Sequence, residues 1–237
     1  EHIQGARTLA AYCRPDNLLR VDDVVEIIYK CAKALHYAHG RGVIHRDIKP
    51  SNVMLTIDND VRIIDFGIAI VSDSEVSRIE GIAGSPSYMS PEQIKAEEIT
   101  PAADLYSLGV VMYELVTGAR PFKARSLDRL LHKIVYATPP PIHTLRADIP
   151  EQLEQTVAMC MQKEPEKRFK TGVDLAAETA DTGRVDGRFA DRADDLDVDL
   201  FVGPRAQTAR PRARCCFSHH GRRPSYSPAR SSGRTVV

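Results

Sequence analysis

The sequence of 237 residues is poor in several features, and each shortage disfavours a class of protein. It contains no apolar run long enough to span a bilayer, and its opening residues show no signal-peptide pattern, which disfavours a membrane-spanning or secreted chain. The five cysteines are odd in number and irregularly spaced, unlike the disulfide framework of a small secreted domain. We therefore expect a reducing, cytoplasmic setting, although a full-length product could be anchored to a membrane.

Lysine and acidic residues both run out before the end of the chain. All nine lysines lie at or before Lys170, and residues 201–237 carry eight arginines and no acid. Such an Arg-, Pro- and Ser-rich stretch cannot bury enough apolar surface to offset the entropy of ordering it, so we predict that residues 178–237 form a disordered tail. A basic tail could attract polyanions, but a solvated tail without a partner or an out-of-frame translation explains it better, and we expect no specific nucleic acid.

Residues 1–177 have the periodicity of a folded domain. Apolar residues recur at helical spacing from Val24 to Ala38, behind Asp22 and Asp23 and before Gly40. Short β-branched runs follow at residues 43–44, 53–57 and 61–64, and a turn-forming segment at 58–60 predicts that the last two are a hairpin. Helical patterns return at residues 103–117, 126–136 and 151–162. The fold class predicted by this order is α+β, mainly helical.

The chemically informative segment is His-Arg-Asp-Ile-Lys-Pro-Ser-Asn at residues 45–52. It places a carboxylate (Asp47), an ammonium (Lys49) and a carboxamide (Asn52) in one loop, and the hairpin returns a second carboxylate, Asp65 of Asp-Phe-Gly, beside them. Phosphoryl transfer needs this inventory: a carboxylate for the attacking hydroxyl, a cation for the phosphate and oxygen ligands for Mg²⁺. The two motifs in this order are therefore highly specific.

These motifs resemble the catalytic loop and metal-binding motif of the eukaryotic-like protein kinases, in their bacterial serine/threonine branch. The resemblance continues in Gly-Ser-Pro-Ser-Tyr-Met-Ser-Pro-Glu-Gln at residues 84–93, Asp-Leu-Tyr-Ser-Leu-Gly at 104–109 and Glu-Pro-Glu-Lys-Arg-Phe at 164–169. It covers residues 1–177, and it implies the hinge and the large, C-terminal lobe of the kinase catalytic domain.

The resemblance implies ATP and Mg²⁺ as cofactors and assigns each motif residue a role. It makes Asp47 the catalytic base, Lys49 a contact of the γ-phosphate, Asn52 and Asp65 the Mg²⁺ ligands, Met54 a packing partner of the adenine, and Glu1 and Ile3 hinge residues that contact ATP. Tyrosine kinases carry a different loop at Lys49, so the resemblance favours serine and threonine hydroxyls of a protein substrate.

Other residues receive structural or regulatory roles from the same resemblance. It implies that Arg46 pairs with a phosphorylated activation segment, that Ser77 is autophosphorylated and that Ser85 faces the substrate and the catalytic loop. It also implies that Asp104 holds the catalytic loop by its backbone and that Arg168 pairs with Glu92. His45 and Phe66 are expected to pack in the hydrophobic spine, and His36, His39 and His132 have no special role in this interpretation.

The small lobe of a kinase has no counterpart in these 237 residues. No Gly-x-Gly-x-x-Gly occurs anywhere, so we expect the phosphate clamp and the adenine roof to be absent and the fragment to be inactive alone. The main hypothesis is a serine/threonine protein kinase seen as a fragment. The alternatives are a non-catalytic kinase-homology module that binds or regulates partners, and a decayed gene remnant. A second copy of the kinase is a candidate partner.

Overall fold

A computed structural model describes residues 6–57, 60–66 and 86–184 of the chain. Their helices and strands, in chain order, are β1 (Arg7–Thr8), α1 (Val21–His39), β2 (Val53–Leu55), β3 (Val61–Ile63), α2 (Pro91–Ile94), α3 (Ala102–Thr117), α4 (Leu127–Tyr136), α5 (Glu151–Cys160) and α6 (Gly172–Arg184). Among the helices of these residues, none combines the length and apolar character needed to cross a bilayer.

Helix α1 confirms the helix predicted from the spacing of apolar residues. Asp22 and Asp23 lie in its first turn, where negative charge interacts favourably with the helix dipole. The backbone N–H of Gly40 donates to the carbonyl of His36 at 2.9 Å and closes the last turn. The apolar face of α1 packs against α3 and α6.

The three strands form one antiparallel sheet in the order β1-β2-β3. The predicted hairpin is confirmed, with Met54 of β2 opposite Arg62 of β3, while residues 58–59 of its turn lie outside the described residues. Strand β1, which sequence periodicity did not indicate, pairs Thr8 with Met54. The central strand of the sheet, β2, begins directly after the motif-bearing loop at residues 45–52.

The strand predicted at residues 43–44 does not form. The backbone N–H of Val43 donates to the carbonyl of Ala38 at 3.0 Å, so this segment completes the C-terminal turn of α1 instead of pairing with a strand. The β-branched side chains alone were insufficient, because a strand also requires a partner edge.

Helix α3 is the centre of the core, and every residue from Ala103 to Val116 is buried. It packs against α1 and α5. A Cβ atom at Gly109 would lie 2.4 Å from the Cβ of Cys160 in α5, so only glycine permits this approach of the two helices. The helix ends at Gly118, whose φ of 68° is the left-handed conformation that glycine favours.

Helix α6 continues to Arg184, past the boundary that we expected at residue 177. Thr179 and Ala180 are buried, and the Thr179 hydroxyl donates to the Leu175 carbonyl at 2.6 Å, so burial extends the helix into residues that composition assigned to the tail. Helices α4 and α5 agree with their predicted positions, apart from the last residues of α5. The described residues thus confirm a mainly helical α+β fold with one small sheet.

Candidate active site

The motif residues 45–52 form the loop between α1 and β2. The ammonium of Lys49 donates to Asp47 Oδ2 at 2.6 Å, and Asn52 Nδ2 donates to the same oxygen at 3.0 Å. Asn52 Nδ2 also donates to the backbone carbonyl of Asp47 at 2.9 Å. The Asp47 side chain remains 54% exposed, so the loop presents a carboxylate that is held from one side and open to solvent on the other.

The backbone of this loop is hydrogen-bonded to the first turn of α3. Asp104, whose side chain is 1% exposed, accepts from the N–H of His45 through Oδ2 and from the N–H of Arg46 through Oδ1, both at 2.8 Å. Arg46 has a φ of 66°, which is uncommon for a side chain larger than glycine. Two consecutive N–H groups bonded to one carboxylate stabilise this conformation.

His45 has both ring nitrogens engaged. Nδ1 accepts from the N–H of Asp47 at 3.2 Å, and Nε2 lies 2.9 Å from the carbonyl of Ile64, to which it donates. These bonds define the tautomer with the proton on Nε2. The ring also meets that of Phe66 edge-on, with centroids 4.6 Å apart. His45 therefore supports the loop and has no ring nitrogen left for proton transfer.

The hairpin brings Asp65 to the same loop. The N–H of Ile64 donates to the carbonyl of Asn52 at 2.9 Å, which joins the residue before Asp65 to the end of the loop. Asp65 is exposed and has a φ of 63°. One carboxylate and one carboxamide thus come together from segments that a hairpin separates, and these oxygens are of the kind that Mg²⁺ binds.

Helix α2 carries a buried carboxylate, Glu92. It bonds to Arg168 in two places, from Nη1 to Oε1 at 2.6 Å and from Nη2 to Oε2 at 2.8 Å. Burial favours the neutral acid, but the hydrogen bonds and charge of Arg168 outweigh it and hold the pKa of Glu92 below its ordinary value. The pair fixes α2 to the segment between α5 and α6.

The remaining predicted residues differ in what the structure describes. Met54 is half-buried on β2, in register with Thr8 and Arg62. Four residues assigned to the hinge or to the activation segment lie outside the described residues: Glu1, Ile3, Ser77 and Ser85.

Two contacts of the loop were not predicted from the sequence. His39, which we expected to have no special role, lies with Nε2 2.8 Å from Asp104 Oδ2. Gln93 donates from Nε2 to the carbonyl of Arg46 at 2.8 Å. The Ser-x-x-Gln spacing that ends at Gln93 does signal a helix N-terminus, but neither long-range bond has a local signature.

A second buried polar pair lies beside α2. The Tyr88 hydroxyl donates to Glu114 at 2.5 Å, and burial together with this bond raises the pKa of Tyr88 above its ordinary value. The Ser107 hydroxyl donates to the carbonyl of Tyr88 at 2.7 Å. The segment that precedes α2 is thereby tied to α3, the helix whose Asp104 also binds the loop at residues 45–52.

This geometry, in which a carboxylate, an ammonium and a carboxamide share one loop beside a returning carboxylate, brings together the kinds of group that phosphoryl transfer requires. The protein kinase domain family matches residues 1–178, and the chain belongs to that family.

Named relatives agree with this assignment. The chain is 33% identical to the serine/threonine-protein kinase PknB of Mycobacterium leprae over 180 residues, which are 75% of this chain and 29% of the relative. It is 32% identical to PknB of Mycobacterium tuberculosis over 181 residues, with the same two coverages. A protein of Clostridium perfringens that is named a probable serine/threonine-protein kinase is 36% identical over 176 residues, 74% of this chain and 26% of the relative. The chain thus spans less than a third of the length of these relatives.

Proposed function

We propose that the chain is the large-lobe part of a serine/threonine protein kinase, which transfers the γ-phosphoryl group of ATP to serine or threonine hydroxyls of proteins. The observation that carries the proposal is the convergence of Lys49 and Asn52 on one oxygen of Asp47. The names of the relatives and the lysine at position 49 support serine and threonine as acceptors.

The two oxygens of Asp47 have different roles in this mechanism. Oδ2 accepts from both Lys49 and Asn52, whereas Oδ1 accepts from no other group in the part of the chain that the structure describes. Oδ1 is therefore the oxygen that would accept the hydrogen bond of a substrate hydroxyl, orient that hydroxyl and take its proton as the new O–P bond forms. The fixed Oδ2 keeps the carboxylate from rotating.

Lys49 would act on the phosphate while it stays close to the base. Its side chain is 21% exposed and its ammonium carries two further N–H donors beyond the one directed to Asp47. Those donors can contact the γ-phosphate, so one cation would hold the base and lower the charge of the transferred group.

The residues that would hold Mg²⁺ fit that ion by their donor chemistry. The amide nitrogen of Asn52 is bonded to Asp47, and its Oδ1 accepts only a 3.4 Å bond from Ser51 within the described residues, which leaves that oxygen for a cation beside Asp65. No group of three or more His, Cys, Asp or Glu side chains in the described ranges is placed to hold a metal. Two protein ligands, with phosphate and water for the rest, is an arrangement typical of Mg²⁺. Asn52 and Asp65 would hold the ion, and a bound Mg²⁺ would supply positive charge to offset that of the phosphates.

The catalytic assignment is tested by Asp47→Asn in the full-length protein. Phosphoryl transfer from radiolabelled ATP to a protein substrate should fall by about 10²–10⁴-fold, because the base is lost while the amide oxygen can still accept the bonds from Lys49 and Asn52. Asp16→Asn, a change of the same kind at an exposed position before α1, should leave the rate unchanged. Equal rates for the two variants would contradict the proposal.

Several further expectations belong to the same proposal. Residues 1–237 without any glycine-rich loop should not transfer phosphate when expressed alone, and the full-length protein should. If the full-length protein is also inactive but binds a protein partner, the non-catalytic module is the better description. Autophosphorylation at Ser77 is tested by phosphopeptide mass spectrometry of active protein, whereas the substrate-facing role of Ser85 and the pairing of Arg46 with a phosphate stay predictions.

Location and self-association also stay predictions. The described cysteines Cys13, Cys31 and Cys160 are free, in line with a reducing, cytoplasmic compartment. A second copy of the kinase is the partner to test first, by analytical ultracentrifugation of the full-length protein.

A further inference from the structure

The side chain of Gln93 uses both ends of its amide. Oε1 accepts from the backbone N–H of Ser90 at 2.9 Å, and the N–H of Gln93 donates back to the Ser90 hydroxyl at 3.4 Å, which together form the capping box of α2. Nε2 donates in the opposite direction, to the carbonyl of Arg46 at 2.8 Å. A capping box needs only the acceptor, so the second bond is a separate feature.

The carbonyl that Gln93 holds belongs to the peptide group joining Arg46 to Asp47. The N–H of this same peptide donates to Nδ1 of His45 at 3.2 Å. Both polar atoms of the peptide are therefore fixed, one from α2 and one from within the loop. Because this peptide directly precedes the Cα of Asp47, its plane sets the direction in which the Asp47 side chain leaves the backbone.

The backbone at this peptide needs such support. Arg46 has a φ of 66°, and its own N–H is bonded to Asp104. Asp104 controls the peptide before Arg46, and Gln93 controls the peptide after it. Removal of either bond frees the left-handed residue to relax toward a commoner conformation.

Gln93 lies on helix α2, which an ion pair fixes to the core. The preceding residue, Glu92, is bonded twice to Arg168, and both of those side chains are buried. The four-residue helix α2 is thus attached to the core at one residue and to the catalytic loop at the next.

We propose that Gln93 is a positioning residue for phosphoryl transfer, which couples α2 to the catalytic loop by fixing the peptide before Asp47. The inference rests on the proposed role of Asp47 as base. Only a carboxamide can accept from Ser90 and donate to Arg46 at once, since a carboxylate has no donor. Gln93 therefore transmits the position of α2 to Asp47, the proposed base.

The decisive variant is Gln93→Glu in the full-length protein. It keeps the shape and the acceptor for the Ser90 N–H, and it loses the donor to the Arg46 carbonyl. Gln162→Glu is the matched control, because the exposed Gln162 also donates from its amide to a backbone carbonyl, that of Ala158 at 3.2 Å, and within the described residues no hydrogen bond joins its side chain to the loop.

We expect Gln93→Glu to lower kcat about tenfold and to leave the KM for ATP within about twofold, because the base is misdirected while the nucleotide contacts remain. Hydrogen exchange should become about tenfold faster in the peptide that covers residues 43–50, which contains the N–H groups held by Asp104 and His45. Gln162→Glu should match the unmodified protein in both measurements. Gln93→Ala, which also removes the cap, should unfold more easily than Gln93→Glu but lose no more kcat.

The outcomes separate this inference from the proposed function. Equal exchange and equal kcat for Gln93→Glu and Gln162→Glu would overturn the positioning role, even if Asp47→Asn abolishes transfer. Unchanged transfer in Asp47→Asn would overturn the base, while the exchange measurement would still decide whether Gln93 holds the loop. A kcat loss in Gln93→Ala without one in Gln93→Glu would assign the effect to the cap and also overturn the role.

Discussion

Arg168 and Glu92 lie 76 positions apart in the chain and form a buried, two-bonded ion pair. Their side chains are 0% and 2% exposed. The other guanidinium N–H groups donate to backbone carbonyls of three residues: Gln162, Ala102 and Lys163. All five N–H donors of the arginine are therefore satisfied, which is the condition under which a buried charge is tolerated.

Arg168→Ala should lower the free energy of unfolding by about 3–5 kcal/mol, because it leaves the Glu92 carboxylate buried without its cation. Urea denaturation of the chain measures this loss. The free energy of unfolding of Arg168→Lys should lie between those of the unmodified chain and of Arg168→Ala, since an ammonium cannot make both bonds to the carboxylate at once. Lys167→Ala is the control, because Lys167 precedes Arg168 directly and forms an exposed ion pair with Glu164. Similar losses for Arg168→Ala and Lys167→Ala would show that the buried pair contributes no more than a surface pair.

Asp104→Asn should destabilise the chain by about 1–3 kcal/mol, because an amide NH₂ would face backbone N–H donors or His39 in place of a carboxylate oxygen. The same variant of the full-length protein should lose kcat, since the loop backbone at His45 and Arg46 would no longer be fixed. Urea denaturation and the phosphotransfer assay measure the two effects. Asp128→Asn, at an exposed position of α4, should change neither, and a kcat equal to that control would contradict the role of Asp104.

Tyr106→Phe should leave the free energy of unfolding unchanged or raise it. The Tyr106 hydroxyl is buried and has no hydrogen-bond partner within the described residues. Its removal therefore removes a desolvation penalty that no hydrogen bond offsets. Tyr113→Phe is the matched control in the same helix, because the Tyr113 hydroxyl donates to the Pro140 carbonyl at 3.1 Å and its loss should cost about 0.5–1.5 kcal/mol. Thermal or urea unfolding should rank the two variants in this order, and the reverse order would reveal a partner for Tyr106.

Lys163 should make the stability of the chain increase with pH above about 8. Burial, and next the charge of Arg168, lower the pKa of Lys163 to about 8 from 10.5. Between these two values the unfolded chain binds more protons than the folded chain, so the free energy of unfolding rises with pH. Lys163→Met should remove this contribution. Relative to the variant, the unmodified chain should therefore gain free energy of unfolding as the pH rises from about 7.5 to about 9.5. A difference between the two that does not change with pH would contradict the lowered pKa.

Gly172→Ala should destabilise the chain by about 1–3 kcal/mol, although alanine is the better helix former. A Cβ at Gly172 would lie 2.3 Å from the carbonyl oxygen of Ala32, so α6 would have to move away from α1. Gly40→Ala is the control, because its nearest atom would be 3.5 Å away and its φ of −62° suits alanine. Chemical denaturation of both variants gives the comparison, and a stabilised Gly172→Ala would mean that the two helices are not in close contact.

Local signals predicted the parts of the fold that local physics determines. Helix α1 has an amphipathic pattern that follows two acidic residues, and β2 and β3 have β-branched runs around a turn, so each was found with nearly correct ends. Helix α6 was not predicted and the domain boundary was placed at residue 177, because the buried positions of this helix include threonine and alanine among charged residues, a composition that resembles a tail. Its burial depends on the contact of Gly172 with α1, which the sequence does not display.

The same division applies to the site. Asp47, Lys49 and Asn52 lie within six positions, so a shared loop was predictable from spacing alone. The bonds from Gln93 to Arg46 and from His39 to Asp104 join positions 47 and 65 residues apart. No periodicity encodes a contact at that separation, because it depends on how whole elements pack.

The complete burial of α3 has a consequence for synthesis of the chain on the ribosome. Its apolar surface is covered by α1, which is made earlier, and by α5, which is made later. At about 5–20 residues per second, the newly made α3 waits seconds for α5. During that interval side chains that are buried in the finished domain are exposed to water and to other nascent chains. The element that binds the loop at residues 45–52 in the finished domain therefore lacks one of its packing partners until α5 has been made.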